Sequence, residues 1–254
     1  MSAHLYERRL TLLPLLLITT LTLGDSPPAN AAQLDSIQLL ATNPSATAKW
    51  YASNFGGKRS DASVKFGNAT IAWNKVPESG VTANPAIAHI GFAVEGVERK
   101  LAALRKANVE IIKDVHEGPQ SRWAIVADPD GRAVGIIEYE GAVPGLHHLM
   151  LNAPLRERRS TLGWYQKVVG GEVANLRNSP LWTGILTNNI WLLFSDDMPR
   201  ADTKTDYTNA SITWRVDDIA QAKELYAKRS QSEEDLGEGI AIVDPCGLIE
   251  RFIE

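Results

Sequence analysis

Trp50-Tyr51-Ala52-Ser53-Asn54-Phe55-Gly56-Gly57 returns 114 residues later as Trp164-Tyr165-Gln166-Lys167-Val168-Val169-Gly170-Gly171. In each copy an aromatic pair runs into a double glycine, the natural left-handed stop of a helix. Two more stretches recur in the same order. His89-Ile90-Gly91-Phe92-Ala93-Val94-Glu95-Gly96-Val97 is echoed 122 residues on by Ser211-Ile212-Thr213-Trp214-Arg215-Val216-Asp217-Asp218-Ile219. Asp128-Pro129-Asp130-Gly131 is echoed 116 residues on by Asp244-Pro245-Cys246-Gly247. Order is kept while loops vary in length, so the chain is a repeat, and differences between copies mark side chains the fold does not require.

Outward from the first helix, Leu34 to Ala41 reads as a strand, and Asn43-Pro44-Ser45 offers the helix start. Val64 to Phe66 and Ala69 to Val76 read as a hairpin around Gly67-Asn68, followed by a Gly/Pro/Ser connector from Pro77 to Pro85. Ala86 to Val94 is the next strand. Val97, Leu101, Leu104 and Val109 trace the apolar face of a second helix. Val109 to Lys113, Trp123 to Ala127 and Ala133 to Glu138 read as strands. The second half repeats this from Leu146, with a hairpin around Asn188-Asn189 and a polar link from Ser195 to Asn209. Its last helix starts behind Asp217-Asp218 and offers Ile219, Ala222, Leu225 and Tyr226 for burial. Each unit is strand, helix, three strands. The fourth unit is shorter. Its first strand after the helix is expected to be curtailed or missing, leaving an open edge guarded by Glu233, Glu234 and Asp235.

The first thirty or so residues are a different kind of sequence. Arg8 and Arg9 precede an apolar run from Leu10 to Leu23, then Pro27, Pro28 and a small-x-small site at Ala29-Asn30-Ala31. That is the layout of a secretory signal peptide, cleaved after Ala31 to leave Ala32 first and a periplasmic or secreted product. An uncleaved anchor is the alternative, although the run is short for a bilayer span. The domain reading is therefore 1–31 signal peptide, 32–141 first repeat domain and 142–254 second repeat domain.

A net charge of −4 and a pI near 5.8 offer no basic stripe to nucleic acid. The predicted partner is a small molecule, with no membrane association after cleavage and a homodimer left open. Cys246 is the single cysteine, so no intrachain disulfide can form. It lacks the basic neighbour a reactive thiolate needs. Asp128 and Asp244, each before a proline at a tight turn, read as turn formers.

The Trp-Tyr helix ending on Gly-Gly, the His89-Ile90-Gly91-Phe92 strand with its helix, and the Asp128-Pro129-Asp130-Gly131 turn together resemble the vicinal oxygen chelate superfamily. That superfamily includes glyoxalase I, extradiol dioxygenases, and fosfomycin- and bleomycin-resistance proteins. The resemblance spans the chain after residue 33. It implies an α+β fold of four βαβββ modules, forming two tandem glyoxalase-like domains with curved mixed sheets and helices on the outer face. It also implies one divalent metal (Fe, Mn, Ni or Zn) at the mouth of a sheet, acting as a Lewis acid. The ligands would be His, Glu or Gln from the first and last strands of each module.

Position by position, the implied metal set is thin. The opening strands offer Ser36, His89, His148 and Ser211; His147 stands beside His148 and alternation points it the other way. The closing strand of the second module offers Gly135, with Glu138 on the opposite face. In the fourth module the position is Glu250 or Arg251, depending on a gap. The candidate metal residues are thus His148, Glu250 and His89. If modules pair across the two halves, the second with the third, His89 and His148 come to one mouth with His116 and Glu117 in reach. Trp73, Trp123, Trp191, Trp214 and Arg251 are the candidate ligand-lining residues, and by alternation about half of the tryptophans face each side. Two functions compete. One is a binding protein with a degenerate metal site. The other is a metal-dependent glyoxalase-type lyase or isomerase, or an extradiol-type dioxygenase, using His148 and Glu250.

Overall fold

The computed structural model describes residues 32–67, 69–76, 86–118, 120–153, 157–176, 183–187, 189–195, 211–227, 233–235 and 239–254. Residues 1–31, expected to be a signal peptide, the 77–85 connector, the Asn188 hairpin tip and the 196–209 link lie outside them, as do the side chains of Leu225 and Tyr226. Among the described residues no helix is long and apolar enough to cross a membrane.

Four modules follow one plan. The first is β1 (Gln33–Ala41), α1 (Pro44–Phe55), β2 (Lys58–Ser60), β3 (Ser63–Phe66) and β4 (Ala69–Lys75). The second is β5 (Ile87–Ala93), α2 (Val97–Lys106), β6 (Ile111–Glu117), β7 (Arg122–Ala127) and β8 (Ala133–Glu138). The third is β9 (Gly145–Asn152), α3 (Arg158–Val168), β10 (Glu172–Asn175), β11 (Thr183–Thr187) and β12 (Ile190–Ser195). The fourth is β13 (Ser211–Arg215), α4 (Ile219–Ala227), β14 (Glu233–Asp235), β15 (Gly239–Val243) and β16 (Ile249–Ile253). The curtailed strand of the fourth module is the three-residue β14, and it forms a sheet edge. The α+β architecture of curved mixed sheets is as the repeat implies.

The local reasons are visible in α1. Asn43 Oδ1 accepts from Ala46 N at 3.1 Å, and Pro44 sits where its missing N–H costs nothing. The helix stops at Gly56 with φ of 78°. The double glycines serve packing as well. A Cβ on Gly57 would stand 2.8 Å from Lys65 O, and one on Gly171 2.7 Å from Leu186 O.

The modules pair crosswise. One eight-stranded sheet (sheet A) runs β14-β15-β16-β13-β1-β4-β3-β2, joining the fourth module to the first. The other (sheet B) runs β10-β11-β12-β9-β5-β8-β7-β6, joining the third to the second. The two repeats follow one another along the chain, but each sheet draws on both halves. Contacts between sequence neighbours come instead from the helices. Tyr51 of α1 packs on Trp73 of β4 and on Phe92 of β5, centroids 4.9 and 6.0 Å apart, so α1 beds against both sheets. Its hydroxyl donates to Asp128 Oδ2 at 3.2 Å, and Tyr165 of α3 donates to Asp244 Oδ2 at 2.5 Å. The repeated tyrosine and the repeated Asp-Pro turn are thus two ends of one tie. Asp128 also accepts from the backbone of Asp130 and Arg132 and pairs with the Arg132 side chain, the turn-forming role expected of it.

One core lies on the helix-side faces of both sheets, where Ile37, Ile71, Ile90, Phe92, Val134, Leu149, Leu192, Ile212 and Phe252 are buried. Burying these side chains stabilises by about 1.5–3 kcal/mol each. Alternation along the strands leaves the opposite faces free to carry function.

Candidate functional site

Opposite the core, sheet B carries a second, smaller apolar cluster. Met150 and Leu193 are buried there with Leu176, and Trp191, Tyr139 and Ala88 pack on them. His148 sits in this row, paired across strands with Trp191 on β12 and Gly91 on β5. Ile125 of β7 pairs with Gly135 of β8, extending the same face.

Three imidazoles converge here. His89 Nε2 lies 2.9 Å from His148 Nε2, His148 Nδ1 lies 2.9 Å from His147 Nδ1, and His147 Nε2 lies 2.7 Å from the Tyr139 hydroxyl. His147 does not face away from His148 as strict alternation predicts. Gly91 pairs with His148 and Phe92 with Leu146, so His147 is the extra residue of a β-bulge, a device that re-aims side chains. Glycines make the space. A Cβ on Gly91 would stand 1.9 Å from His148 Cε1, and one on Gly135 2.9 Å from His89 Cδ2.

The three rings are buried, at 9%, 6% and 4% exposure for His89, His147 and His148. Burial lowers the His89 pKa to about 4. Burial, followed by repulsion from His89 and His147, holds His148 well below the usual histidine range. These two rings are therefore neutral near pH 7. A neutral imidazole has one N–H and one lone pair, so each ring can donate on one side and accept on the other. With a neutral ring at His147 too, the chain has two self-consistent polarities, one running from Tyr139 towards His89 and one running back. His89 Nδ1, buried and without a hydrogen-bond partner, is its end.

Other expected site residues are placed elsewhere. Glu250 lies in sheet A with no exposure, on the core side, where its carboxylate accepts from Trp214 Nε1 at 2.6 Å and lies 2.6 Å from the Tyr165 hydroxyl. His148 and Glu250, paired in the metalloenzyme reading, therefore sit in different sheets. The register resolves the choice between neighbours. Arg251 pairs with Thr213 on the open face, and Glu250 pairs with Ile212 in the core row. Ser36 pairs with Thr213 and Ser211 with Gln38, so the two opening-strand serines are not cross-strand partners. Trp73 and Trp214 are core residues, a correction to their assignment as ligand lining, whereas Trp123 and Trp191 face the open side of sheet B. His116 stacks near Trp123 and Glu117 pairs with Arg122, so neither joins the histidines. Glu138 accepts from Val97 N and caps α2. The Cys246 thiol is pushed up by burial, away from reactivity.

These residues do not fit the implied divalent ion. Two imidazole nitrogens on one tetrahedral ion held at ~2.0–2.1 Å would stand about 3.3 Å apart, each with its lone pair aimed at the ion. The 2.9 Å contact between His89 and His148 is an ordinary hydrogen bond instead. Gly135 has no side chain to supply a third donor, and among the described residues no three His, Cys, Asp or Glu are grouped to hold a metal.

Residues 33–136 match the profile of the Glyoxalase/Bleomycin resistance protein/Dioxygenase superfamily. The whole fold is similar to glyoxalase I from Zea mays, at 17% identity and a TM-score of 0.63 over 89% of this chain and 93% of that one. A V278E variant of the maize protein gives 16% identity and a TM-score of 0.62 over the same shares. A proposed dioxygenase from Bacillus subtilis subsp. subtilis str. 168 gives 13% identity and a TM-score of 0.60, over 86% and 84%. At such identities the likeness is one of fold. No curated protein matches the chain. The family match covers residues 33–136, and over the rest of the chain the likeness is one of fold.

Proposed function

We propose that this chain is an exported binding protein that takes a small, largely apolar molecule bearing one hydrogen-bonding group at the face of sheet B opposite the core. The observation that carries the reading is the continuous chain Tyr139–His147–His148–His89 set among Met150, Leu193 and Trp191. An apolar surface with a few convergent polar groups is the usual composition of a small-molecule site. The chain's two polarities allow it to present either a donor or an acceptor to a ligand, which suits a phenol or a carbonyl. Export rests on the layout of residues 1–31. Against a metal-dependent lyase, isomerase or dioxygenase stands the spacing of the rings: among the described residues no three His, Cys, Asp or Glu are grouped to hold a metal.

The test uses mature protein from Ala32 onward, purified without chelator, assayed for metal and titrated with a panel of mono- and bicyclic phenols and ketones while tryptophan fluorescence is followed. Saturable quenching that is lost in Trp191→Ala and His148→Ala, with no stoichiometric metal, supports the proposal. One Fe, Mn, Ni or Zn per chain, lost in His148→Ala, overturns it. Intact mass of the exported product tests cleavage after Ala31.

A further inference from the structure

The open face of sheet A has a chemistry of its own. Successive cross-strand pairs trace one row across all eight strands: Lys58–Lys65, Lys65–Thr70, Thr70–Ser36, Ser36–Thr213, Thr213–Arg251, Arg251–Ala241 and Ala241–Glu234. Paired residues share a face, and the neighbouring row of Val64, Ile71, Ile37, Ile212 and Glu250 is buried in the core. The row of hydroxyls and cations therefore faces away from the helices.

Arg251 is half-buried, yet it forms no hydrogen bond or ion pair with any described residue. The arginine on the adjacent strand β13, two residues beyond Thr213, behaves differently: Arg215 is held by Asp35 at 2.7 Å and by the Glu254 carbonyl. Buried Arg132 is likewise held, by Asp128 at 3.0 Å. Ser36, Thr70 and Thr213 are half-buried and have no hydrogen-bond partners among the described residues. The central strands thus present one uncompensated guanidinium and three free hydroxyls in line. Exposed Lys65 and Lys58 continue the row on one side.

We infer that this face is a second binding site, separate from the histidine chain, for a small organic carboxylate. A guanidinium presents parallel N–H groups that match both oxygens of a carboxylate. Strands lie about 4.8 Å apart, so a three-carbon acid held by Arg251 reaches Thr213 on the adjacent strand with its far oxygen. Beside the histidines of sheet B the cation is Arg132, and it is already neutralised by Asp128, so the two faces select different ligands.

The experiment is calorimetric titration of the mature protein with malonate, pyruvate and inorganic phosphate at low salt. Malonate or pyruvate is expected to bind, weakened about tenfold or more in Arg251→Ala and partly in Arg251→Lys, because the lysine keeps the charge but not the fork. Thr213→Val, which keeps the shape and removes the hydroxyl, is expected to weaken binding as well and covers the case in which Arg251→Ala does not fold. His148→Ala is expected to bind as the parent does, which separates this site from the one proposed on sheet B. Binding that is unchanged in Arg251→Ala and Thr213→Val, preference for phosphate over both acids, or no binding of any probe at millimolar concentration overturns the inference.

Discussion

His89 Nε2 and His148 Nε2 stand 2.9 Å apart across the seam where β5 of the second module meets β9 of the third. They are 59 residues apart in the chain, and the contact exists because modules from opposite halves share one sheet. Their rings occupy space that Gly91 and Gly135 leave open.

Gly91→Ala is therefore expected to expel the His148 ring and cost about 2 kcal/mol, in the range of overpacked interiors. The companion variant Gly91→Ala with His148→Ala should recover most of that loss. Denaturant unfolding of both proteins measures it, and equal stability of the single and double variants would show that the ring and the glycine are not coupled.

The histidines set an acid limit. His89 titrates at about 4 in the folded protein and near 6.5 when unfolded, and His148 is shifted the same way. Between those values the unfolded chain binds protons that the folded one refuses, so this contribution is full above about pH 6.5 and is lost as pH falls towards 4. His89→Asn should flatten the loss of melting temperature over that window. A parallel curve for the variant and the parent would count against the burial of a neutral ring.

A second cluster works with the opposite sign. Tyr165 has one hydroxyl hydrogen but lies within hydrogen-bond distance of Asp244 at 2.5 Å and of Glu250 at 2.6 Å, so both contacts close only when one carboxyl is protonated. Burial pushes Asp244 up to about 6, and burial with the neighbouring Asp244 charge raises Glu250 well above its ordinary value. Raised acids stabilise most at low pH, and their contribution is lost as pH climbs from about 4 through 6. Asp244→Asn should gain on the order of 2 kcal/mol over the parent above pH 6, with the gap closing towards pH 4. A gap independent of pH would refute the shared proton.

Tyr165→Phe removes the only donor these carboxylates share and is expected to cost about 2 kcal/mol at pH 7, more than Tyr51→Phe. Asp128, the partner of Tyr51, keeps Arg132 and two backbone donors, whereas Leu248 occupies the corresponding place beside Asp244. Equal losses in the two variants would mean that the missing cation has no consequence.

Much of this was legible in the residues, and the misses have identifiable causes. The helices before Gly56-Gly57 and Gly170-Gly171 and the Asp-Pro turns carry local signals, in left-handed glycines and in side chains that bond their own backbone. β2 was not foreseen, because Lys58, Arg59 and Ser60 are all exposed and show no apolar alternation. His147 was assigned to the wrong face because a bulge adds one residue and resets the alternation, with no sequence mark beyond the paired histidines. A signal for Glu250 did exist: it alternates with Arg251, and only register tells which of the two enters the core.

The sequence by itself determined that four similar modules would form, where their helices stop, and which side chains the second copy had exchanged, since these follow from periodicity and turn chemistry within a few residues. Tertiary structure alone decided that the first module joins the fourth and the second joins the third, and so that His89 meets His148 while Glu250 turns inward. Each module presents the same unpaired opening strand, so local sequence does not say which two will meet; that choice belongs to the long-range burial of whole sheet faces.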